Sequence, residues 1–568
     1  MAFFIQKMKE FLKDAPLHLY KQLSAWASPL RLDNLQRFAK ILPLSMTMGS
    51  LPNAYENSGR QKSLPGGSSK MRKHLAIAAA FILTIFGSRA VQATTIEVPG
   101  DVPTIQGAIT AATNGDTVLV APGTYVEHDI SFGGKAIRVT GTNPTDSVTV
   151  ATTVVDADSL GRGFVFTSGE TSSATLAGLT VKNAYYASAS GGGAYVSSAS
   201  PTFTYVVFRR NVGKGGAGVK LNDSLSRFTS CDFLDNETIA AYVGDGGAVD
   251  FSNADPVFTN CRFVDNTSWQ DGGAIRIAGR TLTATDCVFR NNWARYSSGA
   301  VHSPFQRTLT FTRCTFDSND ADQAGAIASA GPITMTDCDV IGNVSAADGI
   351  TNFGSTFAIR DCNWIGNSAY EGGGALSIYG TATGTITCCR FDGNSSAMKG
   401  GAIQFNWQSS GTVKNCLFEK NTAGNGGAIA VLESANVTLT NVTCVSDTAT
   451  VSGGAFYSSS TAVSTVKNVI FWDNVPNEIA ALNTPVVTYS DVEGGYSGTG
   501  NINANPKFAT YQGLEYVLNA GSPCIDAGDP TMSDQVHDSH PLWPPQVPNG
   551  QRADMGAYGG PSNGCMYQ

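Results

Sequence analysis

The stretch FTNCRFVDNTSWQDGGAIRI (residues 258–277) returns as VKNCLFEKNTAGNGGAIAV (residues 413–431), and variants of the same phrase fill residues 191–456. The alanine after the glycines falls at Ala194, Ala217, Ala248, Ala274, Ala300 and Ala326, then as Ile350, then at Ala375, Ala402, Ala428 and Ala455. Successive copies are 23 to 31 residues apart and average near 26. A fixed period of about 20–50 residues marks a stacked array, in which each repeat buries its apolar face against its neighbours.

Each copy holds three strand-like pieces and no helical period: GGA with alternating residues (Ala274 to Ile277), a Thr-rich run such as TLTFT (residues 308–312), and Cys-x-Phe followed by a turn ending in Asn. About 26 residues is too short for a four-stranded propeller blade of about 40–45. It suits one coil of three strands. The fold expected is all-β, a right-handed parallel β-helix, its hand following from the bias of parallel crossovers.

Parallel stacking puts like on like about 4.8 Å apart, and the sequence supplies the columns. Cys231, Cys261, Cys287, Cys314, Cys338, Cys362, Cys389 and Cys416 precede Phe233, Phe263, Phe289, Phe316, Val340, Trp364, Phe391 and Phe418 by two residues, so both columns face the core. Three residues after that aromatic position stand Asn211, Asn236, Asn266, Asn292, Asn319, Asn343, Asn367, Asn394, Asn421 and Asn474. Asn tolerates a left-handed turn, and stacked amides can bond along a ladder.

The pairing of FxxN with GGAI resembles the repeats of chlamydial polymorphic outer-membrane proteins and, more broadly, the right-handed parallel β-helix (pectate-lyase-like) superfamily. The resemblance covers roughly residues 100 to 475. It implies a fold and leaves the function open, because one scaffold hosts many unrelated sites.

Around the array the chain divides as follows. Residues 1–70 read as a non-globular leader or a mis-assigned start. Residues 71–93, MRKHLAIAAAFILTIFGSRAVQA, have the charge, short apolar run and small-residue exit of a Sec-type signal peptide; a start at Met71 is expected, and a long leader or signal anchor is the alternative. The apolar run is too short to span a bilayer, so the mature chain carries no membrane-spanning segment and is expected to be secreted or held at the cell surface or outer envelope. Residues 94–190 form an N-terminal cap and irregular coils, with a short capping helix whose Ile105, Ala108, Ile109 and Ala112 share a face; VPTIQGAITAATNGDTVLVAPGTYVE resembles the opening of many bacterial β-helix proteins. Residues 191–475 are the regular coils. Residues 476–568 form a C-terminal cap or tail, in which SPCIDAGDP and DMGAY resemble the terminal segment of secreted bacterial β-helix proteins. The tail lacks the alternation of a membrane barrel.

Residues 1–93 hold 13 of the 37 Lys and Arg and 4 of the 45 Asp and Glu, so their removal leaves 24 basic against 41 acidic residues, a net charge of −17. That balance argues against nucleic acid, which requires a basic surface, as a partner. Of the 12 Cys, eight sit in the core column and are expected to be free thiols acting as small hydrophobes; Cys524 and Cys565 are the expected disulfide. No Cys or His spacing suggests zinc.

Chemistry is sought on the outward position two after the GGA alanine, which reads Asp250, Arg276 and His302 in successive coils, with Lys220 before them in a slightly shifted copy. Such a row could contact an acidic sugar chain or supply a general acid and base; a charged face that merely solubilises the sheet is the plainer reading. Asp245 stands near it, and no carboxylate pair of the hydrolase kind is apparent. Tyr242, Trp269, Tyr296 and Tyr370, in the loops before GGA, are candidates for stacking on sugar rings. No cofactor is called for; calcium is the ion the tail could ligate, through Asp526, Asp529 or Asp554 and with Asp534 and Asp538 near, although loop-forming Asp explains them too. His537 and His540 are too isolated to indicate a metal.

The reading is a β-helix repeat protein that presents an extended surface for polysaccharide or cell-surface glycan, adhesin-like, with no evident catalytic motif. The alternative is a polysaccharide lyase or glycoside hydrolase acting on acidic polysaccharide.

Overall fold

A computed structural model describes residues 92–567 other than 187–189, 240–244, 348, 350, 539 and 541–542. The expected leader and all but the last two residues of the expected signal peptide lie outside the described residues.

The chain is an all-β parallel solenoid. One coil comprises Ile275–Ala278, Thr281–Thr285 and Val288–Arg290, followed by the two-residue strand Trp293–Ala294. Each strand pairs in parallel with its counterpart one coil on, so that Ile275 faces Val301, Thr283 faces Thr310 and Phe289 faces Phe316. Fourteen strands form the wall that begins with GGA. The two-residue strands form a ladder of their own, a fourth element that the repeat pattern did not announce.

The core columns stack as the spacing requires. Phe233, Phe263, Phe289 and Phe316 lie with ring centroids 4.7 to 4.8 Å apart and nearly parallel, an arrangement worth about 0.5–1.5 kcal/mol per pair beyond area burial. The eight column cysteines are buried and free. Burial raises the Cys261 thiol well above its ordinary value. Such thiols act as packing groups.

The asparagine column is a continuous ladder. Asn292 Nδ2 donates to Asn319 Oδ1 at 2.9 Å and to Phe263 O at 2.9 Å, while its Oδ1 accepts from Asn266 N and Nδ2 at 3.2 and 2.9 Å. Every rung is fully buried in this region. The left-handed turn, however, belongs to the residue before each rung, as at Asn291 (φ 53°), Asp265 (φ 56°) and Gly393 (φ 62°). The rung is Asn for its bonds alone.

The N-terminal helix Ile105–Ala111 is present, with Thr104 as its cap and Ile105, Ala108, Ile109 and Ala112 no more than 2% exposed. Glu127 accepts from the free amides of Ile105 and Gln106 at 2.7 and 2.9 Å. This end of the core is thereby closed, as a solenoid requires.

Three expectations are corrected. Ala194 pairs with Val219, and Val219 with Val249, so the counterparts of Ala248 are Gly193 and Gly218, one residue away from Ala194 and Ala217; Lys220 therefore lies in strict register with Asp250. Most of the tail does not sit over the end of the solenoid. It lies along the wall, where Leu417, Val445 and Ile470 pack with Val517, Trp543 and Met555. Its docking points are outward corner residues of successive coils: Asn415 Nδ2 donates to Ala557 O and Gly559 O, and Asn441 Nδ2 to Asp554 O and Gly556 O. Cys565 is bonded to Cys388, another corner residue, while Cys524 is a buried thiol 3.1 Å from Asp491 Oδ2. The doubled Cys388-Cys389 explains this: Cys389 takes the core position, while Cys388 stands in the left-handed corner before it (φ 58°), outside the strands on either side.

Candidate functional site

The outward column of the GGA wall runs Tyr195, Lys220, Asp250, Arg276, His302 and Ala328, and further on Ser377, Gln404 and Ala430. Although outward, it is not an exposed face: Lys220 is 8%, Asp250 5%, His302 9% and Gln404 5% exposed. The loops before GGA overhang it. A Cβ on Gly215 would come within 3.1 Å of Asp250 Oδ2, which shows how closely that loop approaches.

The four charged candidates converge. Lys220 Nζ lies 2.6 Å from Asp250 Oδ2 and 3.2 Å from Ser252 Oγ. Arg276 lies 3.7 Å from Asp250 Oδ1 and 3.3 Å from Asp245 Oδ2. His302 Nδ1 lies 3.4 Å from Asp271 Oδ2. The row is thus a chain of ion pairs with Asp245 and Asp271 as its second tier.

Asp271 is the residue that sequence reasoning missed. Its signal was the identical Asp-Gly-Gly-Ala at 245–248 and 271–274, one coil apart, with Gly246 N bonded to Asp271 O to fix the stacking. The two carboxyls differ in environment. Burial, reinforced by Asp250 and Asp271, raises Asp245 despite Arg276 and His302. At Asp271 burial acts in the same direction, but bonds to His302 and Ser297 outweigh it and hold the carboxyl low.

Two consecutive floor residues also leave buried atoms without a hydrogen bond, Asp250 Oδ1 and Arg276 Nε, with Gln404 Oε1 further along; the next, His302, has for its Nδ1 only the 3.4 Å contact with Asp271. Buried polar atoms without hydrogen bonds are few in native proteins and require an account.

The aromatic row is only partly free. Trp269 Nε1 donates to Glu237 Oε1 at 3.0 Å, and its ring meets Trp293 edge to face at 5.7 Å. Tyr296 and Tyr370 are 36% and 58% exposed, with Arg295 over the Tyr296 ring at 5.3 Å. Tyr242 lies outside the described residues.

In the tail, Asp529 is paired with Lys467 at 2.7 Å and accepts from Thr531, and Asp538 accepts from Asn549 N. Asp526 accepts from Gly550 N, and Asp554 from Asp526 N. Asp361, Cys388 and Cys565 are close enough to share an ion. The disulfide, however, removes both thiolates as ligands. A cavity of about 540 Å³ beside that disulfide, lined by Lys414 and His540 among others, does not reach the charged row. Among the described residues no helix is long and apolar enough to cross a membrane.

Residues 135–303 match the family described as right handed beta helix region, and residues 415–431 match the Chlamydia polymorphic membrane protein repeat. No curated protein matches the chain. Similar solved structures include tailspike protein 3 of bacteriophage CBA120, at 13% identity over 74% of this chain and 69% of that one, TM-score 0.39. Pectate lyase Pel9A aligns at 14% identity over 80% and 90% of the two chains, TM-score 0.19. A mannuronic acid specific polysaccharide family 6 lyase from human gut microbiota aligns at 10% identity over 69% and 91%, TM-score 0.33. The chain is a right-handed parallel β-helix with repeats like those of the Chlamydia polymorphic membrane proteins.

Proposed function

We propose that the chain is a glycan-binding surface protein, and that a linear polysaccharide lies along the overhung column of the GGA wall. The observation that carries this reading is the run of polar groups on Asp250, Arg276 and His302 in three consecutive coils, in which Asp250 Oδ1 and Arg276 Nε have no hydrogen bond and His302 Nδ1 only a 3.4 Å contact. Sugar hydroxyls donate and accept, so they complement an acceptor on Asp250 and a donor on Arg276 alike, and Tyr296 and Tyr370 offer ring faces at the margin. The coils repeat about every 4.8 Å, which gives a linear polymer an equally linear set of contacts. The floor and its overhang hold three carboxylates against Lys220 and Arg276, so charge favours a neutral polymer over the acidic one expected from the row alone. A surface location is in keeping with the likeness to polymorphic membrane protein repeats, and secretion through the 71–93 segment belongs to the same proposal.

A second reading, hydrolysis of the bound glycan, is favoured by one specific observation: Asp245 and Asp271 stack at the same repeat position with their carboxyls pushed in opposite directions. A raised and a lowered carboxyl are what a general acid and its partner require. Lyase chemistry with Lys220 as proton abstractor is disfavoured, because Lys220 is held against Asp250 at 2.6 Å.

The test is incubation of the protein with a panel of neutral and acidic polysaccharides, following retention, new reducing ends and unsaturated-uronate absorbance. Retention on a neutral polymer, lost in Arg276→Ala with folding intact, is the expected result. Release of reducing ends, abolished by Asp245→Asn, would establish hydrolysis instead. Retention on nothing in the panel would sink both readings.

A further inference from the structure

The tail contains a second site of a different kind. Asp554 is fully buried, Asp534 is 6% and Asn549 2% exposed, and the two aspartates adjoin, Asp554 N lying 3.4 Å from Asp534 Oδ1. Among the described residues neither carboxyl forms an ion pair with a basic side chain; Lys467 is engaged by Asp529, and Arg552 donates to Gly528 O and Ala527 O.

The donors available to the pair are backbone and amide groups. Asp534 Oδ1 accepts from Gly560 N and, at 3.4 Å, from Asp554 N, while its Oδ2 accepts from Asn549 Nδ2 at 3.4 Å. Asp554 Oδ1 accepts from Asp526 N at 2.7 Å. Two oxygens remain without a partner, Asp554 Oδ2 and Asn549 Oδ1. A proton shared between the carboxyls would satisfy one of them and leave the amide oxygen bare. A cation beside Asp554 Oδ2 would neutralise the buried charge, and the Asn549 amide, whose Nδ2 lies 3.4 Å from Asp534 Oδ2, stands next to the pair with an oxygen to spare.

We propose that Asp534, Asp554 and Asn549 bind one calcium ion, which holds the 554–560 turn against the solenoid wall. Carboxylate and amide oxygens are hard ligands, and calcium accepts their irregular arrangement more readily than magnesium, which demands a near-ideal octahedron and keeps its waters. Asp526, whose own Oδ2 takes Gly550 N, adds negative charge at longer range. The turn that the ion would fix carries the docking contacts, since Asn441 donates to Asp554 O and Asn415 to Ala557 O and Gly559 O. Occupancy of the site and attachment of the tail are thereby coupled.

The experiment uses the full chain at neutral pH, titrated with calcium chloride in a calorimeter and melted in about 5 mM calcium or in chelator. One calcium per chain is expected, with Kd on the order of 10⁻⁴ M or tighter, together with a Tm raised by several degrees. Asp529→Asn, which lies outside the site, lowers Tm but keeps the calcium shift, whereas Asp554→Asn loses it. Should Asp554→Asn fail to fold, Asn549→Ala serves, with binding at least tenfold weaker. No heat and no Tm shift in the unaltered chain, or a shift that persists in both Asp554→Asn and Asn549→Ala, overturns the proposal.

Discussion

Two polar columns run the length of this solenoid, and they are built on opposite rules. The asparagine ladder repeats one residue and one set of bonds: each rung from Asn211 to Asn394 donates to the next amide and to a backbone carbonyl of the preceding coil. The outward column of the GGA wall changes residue at nearly every coil and leaves atoms unbonded. Identical chemistry at every level is what holding a stack together requires, since each level faces the same task. Chemistry that varies from coil to coil while remaining buried is not explained by stacking, and that is where a ligand is sought.

The sharpest way to break the comparison is to remove a central rung. Asn292→Ala deletes two donated bonds and an oxygen that accepts both Asn266 N and Asn266 Nδ2, so stability should fall by about 3–5 kcal/mol, several buried groups being left unbonded at once; thermal melting followed by circular dichroism measures it. A loss below about 1 kcal/mol would mean that the ladder is dispensable.

On the outward column, Asp250→Ala leaves Lys220 nearly buried and unpaired, at a cost of about 3 kcal/mol. The double variant Lys220→Met with Asp250→Leu should recover most of that stability, because well-packed apolar replacements of buried pairs are often neutral or better. Glycan retention should not recover with it. A double variant that stays as unstable as the single one would show the pair to be structural.

The last rungs of the ladder are where its rule fails. Burial raises Glu478 to about 7, against the opposing bonds from Asn474. A carboxyl raised in the folded state contributes stability that is complete below its unfolded value near 4.5 and is lost as pH rises through about 7. Stability should therefore fall between pH 5 and pH 8 by an amount on the order of 2–3 kcal/mol, read as a falling melting temperature, and Glu478→Gln should flatten the profile.

The smallest effect is expected at Asp447, which occupies a rung between Asn421 and Asn474. Burial raises its carboxyl well above the ordinary value, and its Oδ2 has no partner. Asp447→Asn restores the donor that every neighbouring rung has, and should stabilise by about 1 kcal/mol, visible as a higher Tm and a further flattening of the pH profile.

Much of this was written in the residues. The period, the three main strands of each coil, the Cys and Phe columns, the asparagine stack and the capping helix all follow from side chains whose spacing repeats locally, and parallel pairing turns that spacing directly into contact. The candidate site was half legible: Lys220, Asp250, Arg276 and His302 could be aligned by counting, but their burial depends on loops of irregular length, and Asp271 gains its meaning from contact with His302 in the next coil. The attachment of the tail was not legible. Cys388 with Cys565, Asn441 with Asp554, and Asp534 with Asp554 join segments that share no period. Repetition encodes which residues stack, because each coil is the template for the next; where a non-repeating tail docks is decided by the surface the finished stack presents, which exists only in three dimensions.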